Sequence, residues 1–229
     1  MLFGRTTTIS SGFTPSGSPA GWWPADQITG LEDADPVGTW PDQSGNSNDF
    51  TQATAAQKPT YKINIQNSLP VVRFDGTADN MASADIDFTG GLFTFQLMTA
   101  RRTPNSSWPP ILQEGSWGVL FGYHGAAPFT LECWINSGNA INSDTALTEN
   151  TFYVADLVSD GSNRLFYLNG AADGTGAYVA PSAHSALCLS DPSYPTAFDL
   201  GEAIVYTTNL SLTDSGSNDS GLNTKWAVY

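Results

Sequence analysis

Positive charge is scarce in this chain. Its 229 residues hold eight Lys and Arg against 22 Asp and Glu, a formal net charge of −14. Proteins that grip nucleic acid neutralise phosphates with Lys and Arg, and anionic membrane surfaces recruit the same side chains, so this composition excludes nucleic acid as a partner. The acidity points instead to solubility, to cations or to a basic partner surface. Long apolar runs are missing too: none approaches the roughly 20 residues that span a bilayer, and no membrane insertion is expected. Met1 to Thr8 lack the apolar stretch of a secretory signal. Cysteine is limited to Cys133 and Cys188, too few for a disulfide framework. Each sits in an apolar run, which suits buried thiols, although a bridge between them stays open. The two histidines, His124 and His184, stand apart from any zinc-like spacing. No Walker or dinucleotide loop occurs, and Gly115-Ser116-Trp117-Gly118 falls one residue short of a nucleophile elbow.

Aromatic residues, by contrast, are plentiful: 12 Phe, 8 Tyr and 7 Trp, enough to exclude a disordered chain. Gly (22) and Pro (14) punctuate many short segments, as an all-β architecture requires. Phe93, Phe95 and Leu97 alternate with Thr94, Gln96 and Met98, and Phe129, Leu131, Cys133 and Ile135 alternate with Thr130, Glu132, Trp134 and Asn136. This period of two marks strands with one buried face. Trp117 to Tyr123 is a continuous apolar run, expected to be a central strand. Phe152–Val158 and Leu165–Leu168 flank an Asp160-Gly161 turn and read as a hairpin. No helical pattern falls between the strands, which favours a sandwich over alternating strands and helices.

The two ends differ from the middle. Residues 1–19 form a polar arm rich in Ser, Thr, Gly and Pro, dotted with Leu2, Phe3, Ile9 and Phe13. Such a segment cannot build a core of its own. It is either a loose terminus or an arm that docks, and in an assembly these four residues are the expected anchor. At the far end Leu222, Trp226 and Tyr229 share a helical face, with Ser211 as N-cap and Asp214 three residues on. The Gly- and Ser-rich stretch 215–221 is poor helix sequence, so a short or broken terminal helix is expected.

Several segments taken in order resemble the laminin-G-like branch of the concanavalin A-like superfamily. They are Trp23-Pro24-Ala25-Asp26, Val37 to Asn46 with its Trp40-Pro41-Asp42-Gln43-Ser44-Gly45-Asn46 core, and Leu69 to Gly76. Phe152 to Gly170, closing in Tyr167-Leu168-Asn169-Gly170, and Gly201 to Tyr206 complete the series. The resemblance covers residues 20–229. It implies an all-β fold, a two-sheet antiparallel jelly-roll sandwich with a short C-terminal helix, preceded by the extended arm 1–19. Members serve as lectins, adhesion modules, carbohydrate-active enzymes and virion proteins of bacteriophages. The glucanase members carry Glu-x-Asp-x-x-Glu on one strand. No such run exists here, where Glu114, Glu132, Glu149 and Glu202 each stand alone, so no enzyme activity is expected.

Two candidate sites follow. A flat indole flanked by polar groups can stack on a pyranose ring, and Trp134 beside Glu132 and Asn136 offers that combination; packing under a loop is the competing role. Laminin-G-like folds often bind calcium at a sandwich rim, which makes Asp75, Asp79 and Asn80 candidate oxygen ligands, with Asp42 to Asp49 as a second loop. Calcium needs 6–8 oxygens, and the same residues equally suit turn chemistry. The expected function is a non-catalytic virion structural or surface protein: a capsid decoration, head fibre or tail appendage presenting a lectin-like sandwich. The alternative is a free-standing carbohydrate-binding lectin module, calcium-dependent or not. The expected partners are other virion proteins and a host-surface glycan, in a homo-oligomer or larger assembly at the virion surface.

Overall fold

The computed structural model describes residues 12–105, 109–114, 118–136, 138–182 and 185–229. Leu2, Phe3, Ile9, Ser116, Trp117 and His184 lie outside the described residues. Among the described residues, sixteen strands and one α-helix follow one another in the order β1 (Gly21–Pro24), β2 (Thr39–Trp40), β3 (Phe50–Thr51), β4 (Thr60–Gln66), β5 (Leu69–Asp75), β6 (Met81–Asp85), β7 (Leu92–Asn105), β8 (Pro110–Glu114), β9 (Val119–Tyr123), β10 (Leu131–Ile135), β11 (Ile141–Asn142), β12 (Phe152–Asp160), β13 (Asn163–Leu168), β14 (Ala171–Ala177), β15 (Ala186–Leu189), β16 (Thr196–Tyr206) and α1 (Leu212–Trp226).

The strands form two antiparallel sheets. Sheet I runs β14-β13-β12-β7-β16-β5-β4, and β1 joins it beside β16. Sheet II runs β11-β10-β9-β8-β15-β6-β3-β2. Strand β16 is the axis of sheet I, with every residue buried. It pairs with β7 along one edge, and along the other first with β5 and then with β1. The result is the two-sheet sandwich expected from the alternating pattern.

The core lies between the sheets and is built from the alternating residues. Phe93, Phe95 and Leu97 of β7, Val205 and Ala203 of β16, and Phe121, Leu131, Cys133 and Ile135 of sheet II all enter it. Aromatic pairs dominate the centre: Phe74 stacks on Phe198 at 4.4 Å and Phe88 meets Phe95 edge-on at 5.2 Å. Such pairs add about 0.5–1.5 kcal/mol beyond their buried area. Both cysteines are free, and burial pushes the Cys133 thiol up to about 12.

Turn chemistry sets the register of the hairpins. Between β13 and β14, Asn169 (φ 53°) and Gly170 (φ 76°) both take left-handed backbone, as a type I′ turn demands and as Asn-Gly supplies at least cost. Asn169 also joins β12: its side-chain Oδ1 accepts from the Val154 amide at 3.0 Å, and its backbone amide donates to the Val154 carbonyl at 2.8 Å.

The outer side of sheet I is not left to solvent. Val71, Met98, Val154, Ile204 and Tyr206 form a second apolar cluster with Leu222 and Trp226 of α1. The helix is continuous from Leu212 to Trp226 across both Gly216 and Gly221, so the poor propensity of 215–221 does not break it. Ser211 caps it by accepting from the Asp214 amide, and Ala227 ends it in left-handed backbone. Of the expected apolar face, Leu222 and Trp226 are buried, whereas Tyr229 lies past the helix end and is 53% exposed. Phe13 packs on this same side, edge-on to Trp22 at 6.4 Å. The Ser16 amide donates to Asn218 and the Ser16 carbonyl accepts from the Tyr206 hydroxyl. The described end of the arm is therefore held by this chain's own sheet and helix.

Candidate binding face

Strand β10 places the candidate tryptophan. Leu131, Cys133 and Ile135 enter the core, so the pleat turns Glu132 and Trp134 to the outer side of sheet II. Their cross-strand partners on β9 are Gly122 and Leu120, and Glu132 also lies opposite Asn142 of β11. Trp134 is half-buried while Glu132 is only 5% exposed. Trp134 and Glu132 are neighbours on this face, and the Asn142 amide, oriented with its nitrogen toward Glu132, donates to that carboxylate at 3.3 Å. Burial raises the Glu132 carboxyl above the usual range, opposed by the Trp134 hydrogen bond and the charge of nearby His124. Asn142 has no strand-face signal in its local sequence; only the β10–β11 pairing brings it here. Gly122 is required at this spot, because a Cβ there would sit 2.8 Å from the Pro110 Cα.

Asn136, the third candidate, is not part of that cluster. It follows β10 in left-handed backbone. Its amide donates to the Ala180 carbonyl at 2.9 Å, and its oxygen accepts from both the amide and the hydroxyl of Ser182 at 3.0 and 2.9 Å. Asn136 thus ties the 180–182 loop to the end of β10, below Trp134, and has little left to offer a ligand.

The rim loop after β5 uses its oxygens on itself. Asp75 accepts from the Thr77 and Ala78 amides at 2.7 and 3.2 Å, and Asp79 accepts from the Asp75 amide at 2.9 Å. Asn80 accepts from Gln52 at 2.8 Å. Asp79 is buried, and desolvation lifts its carboxyl to about 6. The second loop behaves alike. Asp42 accepts from the Trp22 amide (2.9 Å), the Ser44 amide (2.8 Å) and hydroxyl (2.7 Å) and the Asn48 amide (3.0 Å). Asn46 and Asn48 donate to the Ala20 carbonyl. These contacts staple the loop to β1. Among the described residues no group of three or more His, Cys, Asp or Glu is gathered for a metal ion, and neither loop, as arranged, fits calcium.

The glutamates are scattered over the fold. Glu132 faces out from sheet II, Glu114 is buried opposite Leu187, and Glu149 is exposed in a loop. Glu202 is buried on the outer side of sheet I, taking hydrogen bonds from the indoles of Trp22 (2.6 Å) and Trp226 (2.8 Å) and an ion pair from Lys225 (3.0 Å).

Known structures share this architecture. The chain is similar to Trypanosoma rangeli sialidase, with a TM-score of 0.61 and 13% identity over 92% of this chain and 33% of the sialidase. It is similar to the binding domain of botulinum neurotoxin DC, solved with rat synaptotagmin II, with a TM-score of 0.64 and 10% identity over 90% of this chain and 52% of that one. Domain 4 of an extracellular arabinanase from Geobacillus stearothermophilus, solved with arabinotriose, matches with a TM-score of 0.54 and 12% identity over 82% of this chain and 100% of that domain. The chain spans about a third of the length of the sialidases it matches. Identities this low speak for the fold alone. No curated protein matches the sequence. The sequence match that does exist runs over residues 75–214, and by it the chain belongs to the concanavalin A-like lectin/glucanases superfamily.

Proposed function

We propose that this chain is a non-catalytic, lectin-like surface module that binds a neutral glycan on the outer side of sheet II. The observation that carries the reading is Trp134, half-buried on that face beside Glu132, which lies two residues before it on the same strand. A pyranose ring stacked on the indole would place hydroxyl groups within reach of the carboxylate. Glu132 accepts hydrogen bonds from hydroxyls and repels acidic sugars, and the chain's charge of −14 acts in the same direction. The setting we infer is the outside of a phage particle, as a capsid decoration, head fibre or tail component, with a host-surface glycan as the partner. The resemblance to a family with bacteriophage virion members is what supports that setting. Calcium has no part in this reading, because the carboxylates of both candidate loops are engaged by their own amides.

A glycan array carrying neutral and sialylated sugars, read with and without chelator, tests it. Wild type is expected to bind neutral glycans equally in both conditions, and Trp134→Ala to lose at least about tenfold in affinity, some 1.4 kcal/mol. Binding that survives Trp134→Ala, or no glycan binding at all, ends this reading.

A further inference from the structure

Helix α1 stands on tertiary contacts more than on its own sequence. Its 15 residues contain Gly216, Gly221, Ser215, Ser217 and Ser220 and no alanine, a composition that does not hold a helix alone. Its buried side is largely polar: Ser215, Asn218 and Asp219 all press on sheet I. Asp219 comes beside Asp156 of β12 there, and Asp156 is 1% exposed. One amide serves both acids: Gln96 Nε2 lies 3.3 Å from Asp156 Oδ2 and 3.0 Å from Asp219 Oδ1. Ser215 Oγ lies 3.5 Å from Asp156 Oδ2, and Asp156 Oδ1 is buried without a partner. The Gln96 oxygen is already taken by Asn218 at 2.8 Å. Two carboxylates thus compete for the hydrogens of one amide and one hydroxyl, which fall short if both acids are ionised. A proton on one of them turns the repulsion into a hydrogen bond.

We propose that α1 is a latch closed by a proton shared between Asp156 and Asp219, and that loss of this proton loosens the helix from sheet I. The other titratable groups around the pair are Tyr206 of β16, Tyr167 of β13 directly across from Asp156, Tyr229 beyond the helix, and Asp214 on its first turn. The cation of α1, Lys225, is held by Asp26 and Glu202 instead. No ion pair reaches either acid of the pair among the described residues. Burial pushes both carboxyls above their ordinary range, Asp156 the further. An acid raised in the folded state contributes its full stability below the unfolded value of 3.8 and loses it as pH climbs through the folded value. The latch is therefore tightest in acid and slackens as pH rises. Opening would uncover Val71, Met98, Val154 and Ile204, which Leu222 and Trp226 now cover.

Hydrogen exchange of residues 212–226, followed between about pH 4 and pH 9 and corrected for intrinsic rates, reads the latch directly. Opening should rise by up to roughly tenfold per pH unit between the ordinary carboxyl value of 3.8 and the pair's folded value, and level off above it, while amides of β7 keep their protection. Asp156→Asn replaces the shared proton with a permanent donor, so it should flatten the profile and protect the helix better than wild type at high pH. Asp219→Asn should act in the same direction. A wild-type profile independent of pH, a loss shared equally by β7, or Asn variants looser than wild type at high pH would each overturn the proposal.

Discussion

Lys225, on the last turn of α1, holds its ammonium 2.7 Å from the carboxylate of Asp26, 199 positions earlier in the chain. The pair is buried on both sides, with the two side chains 3% and 2% exposed, and Glu202 completes it at 3.0 Å. The Lys225 charge draws the Glu202 carboxyl down against a burial effect that, on balance, still raises it. Removing one partner of a buried ion pair leaves an uncompensated charge, at about 3–5 kcal/mol. Lys225→Ala should therefore cost that much in chemical denaturation, far more than alanine at the exposed pair Lys62–Asp33.

The loop that resembles the family signature is expected to matter through Asp42. Its carboxylate accepts three backbone amides and one hydroxyl and so ties the loop to Trp22 of β1. Asp42→Ala should destabilise the fold by about 1.5–3 kcal/mol, the range for hydrogen bonds to a charged group. Added calcium should not restore the loss; a rescue by calcium in thermal melts would reassign the loop as a cation site.

Gly122 lies directly across from Glu132, with the Pro109–Pro110 backbone against its Cα. Backbone cannot swing aside as a side chain can. Gly122→Ala is expected to cost at least about 1–3 kcal/mol by overpacking, visible as a lower denaturation midpoint. A silent substitution would mean that the β8–β9 packing is looser than this geometry implies.

Asp79 supplies a pH prediction. Desolvation raises its carboxyl to about 6 from an ordinary 3.8. Its stabilising contribution is complete below the ordinary value and is lost as pH climbs through about 6. Asp79→Asn removes that loss while keeping an oxygen for the Asp75 amide. Its Tm should exceed wild type by roughly 2–4 °C near neutral pH and match it in acid. Equal melting at both extremes would sink the assignment.

Much of this was legible in the amino-acid order, wherever a strand or turn writes its own rule. The alternation around Cys133 turned Trp134 away from the core, and Asp160-Gly161 declared the turn between β12 and β13. Ser211 and Asp214 marked the helix start. What stayed hidden depends on distant partners. The continuity of α1 follows from Gln96, Asp156 and Glu202, which lie far off in sequence, and nothing between Ser215 and Gly221 announces them. Asn136 reads like a ligand-facing residue until the 180–182 loop meets it. The Asp42 and Asp75 loops show the same limit, because composition reveals acceptors but not the donors they meet. Phe13 belongs to a polar arm by local sequence, and only the fold brings its ring to Trp22.

Phe13 and Val228 both rest on the helix-covered side of sheet I, whereas Trp134 looks out from sheet II, across the full thickness of the sandwich. A support that grasped the protein near either of these residues would, without any added hinge, aim the indole away from itself. The direction in which the indole faces relative to such a support is thus set by the packing of Phe13 and Val228 on the opposite side, much as a lamp bracket fixes where the light falls.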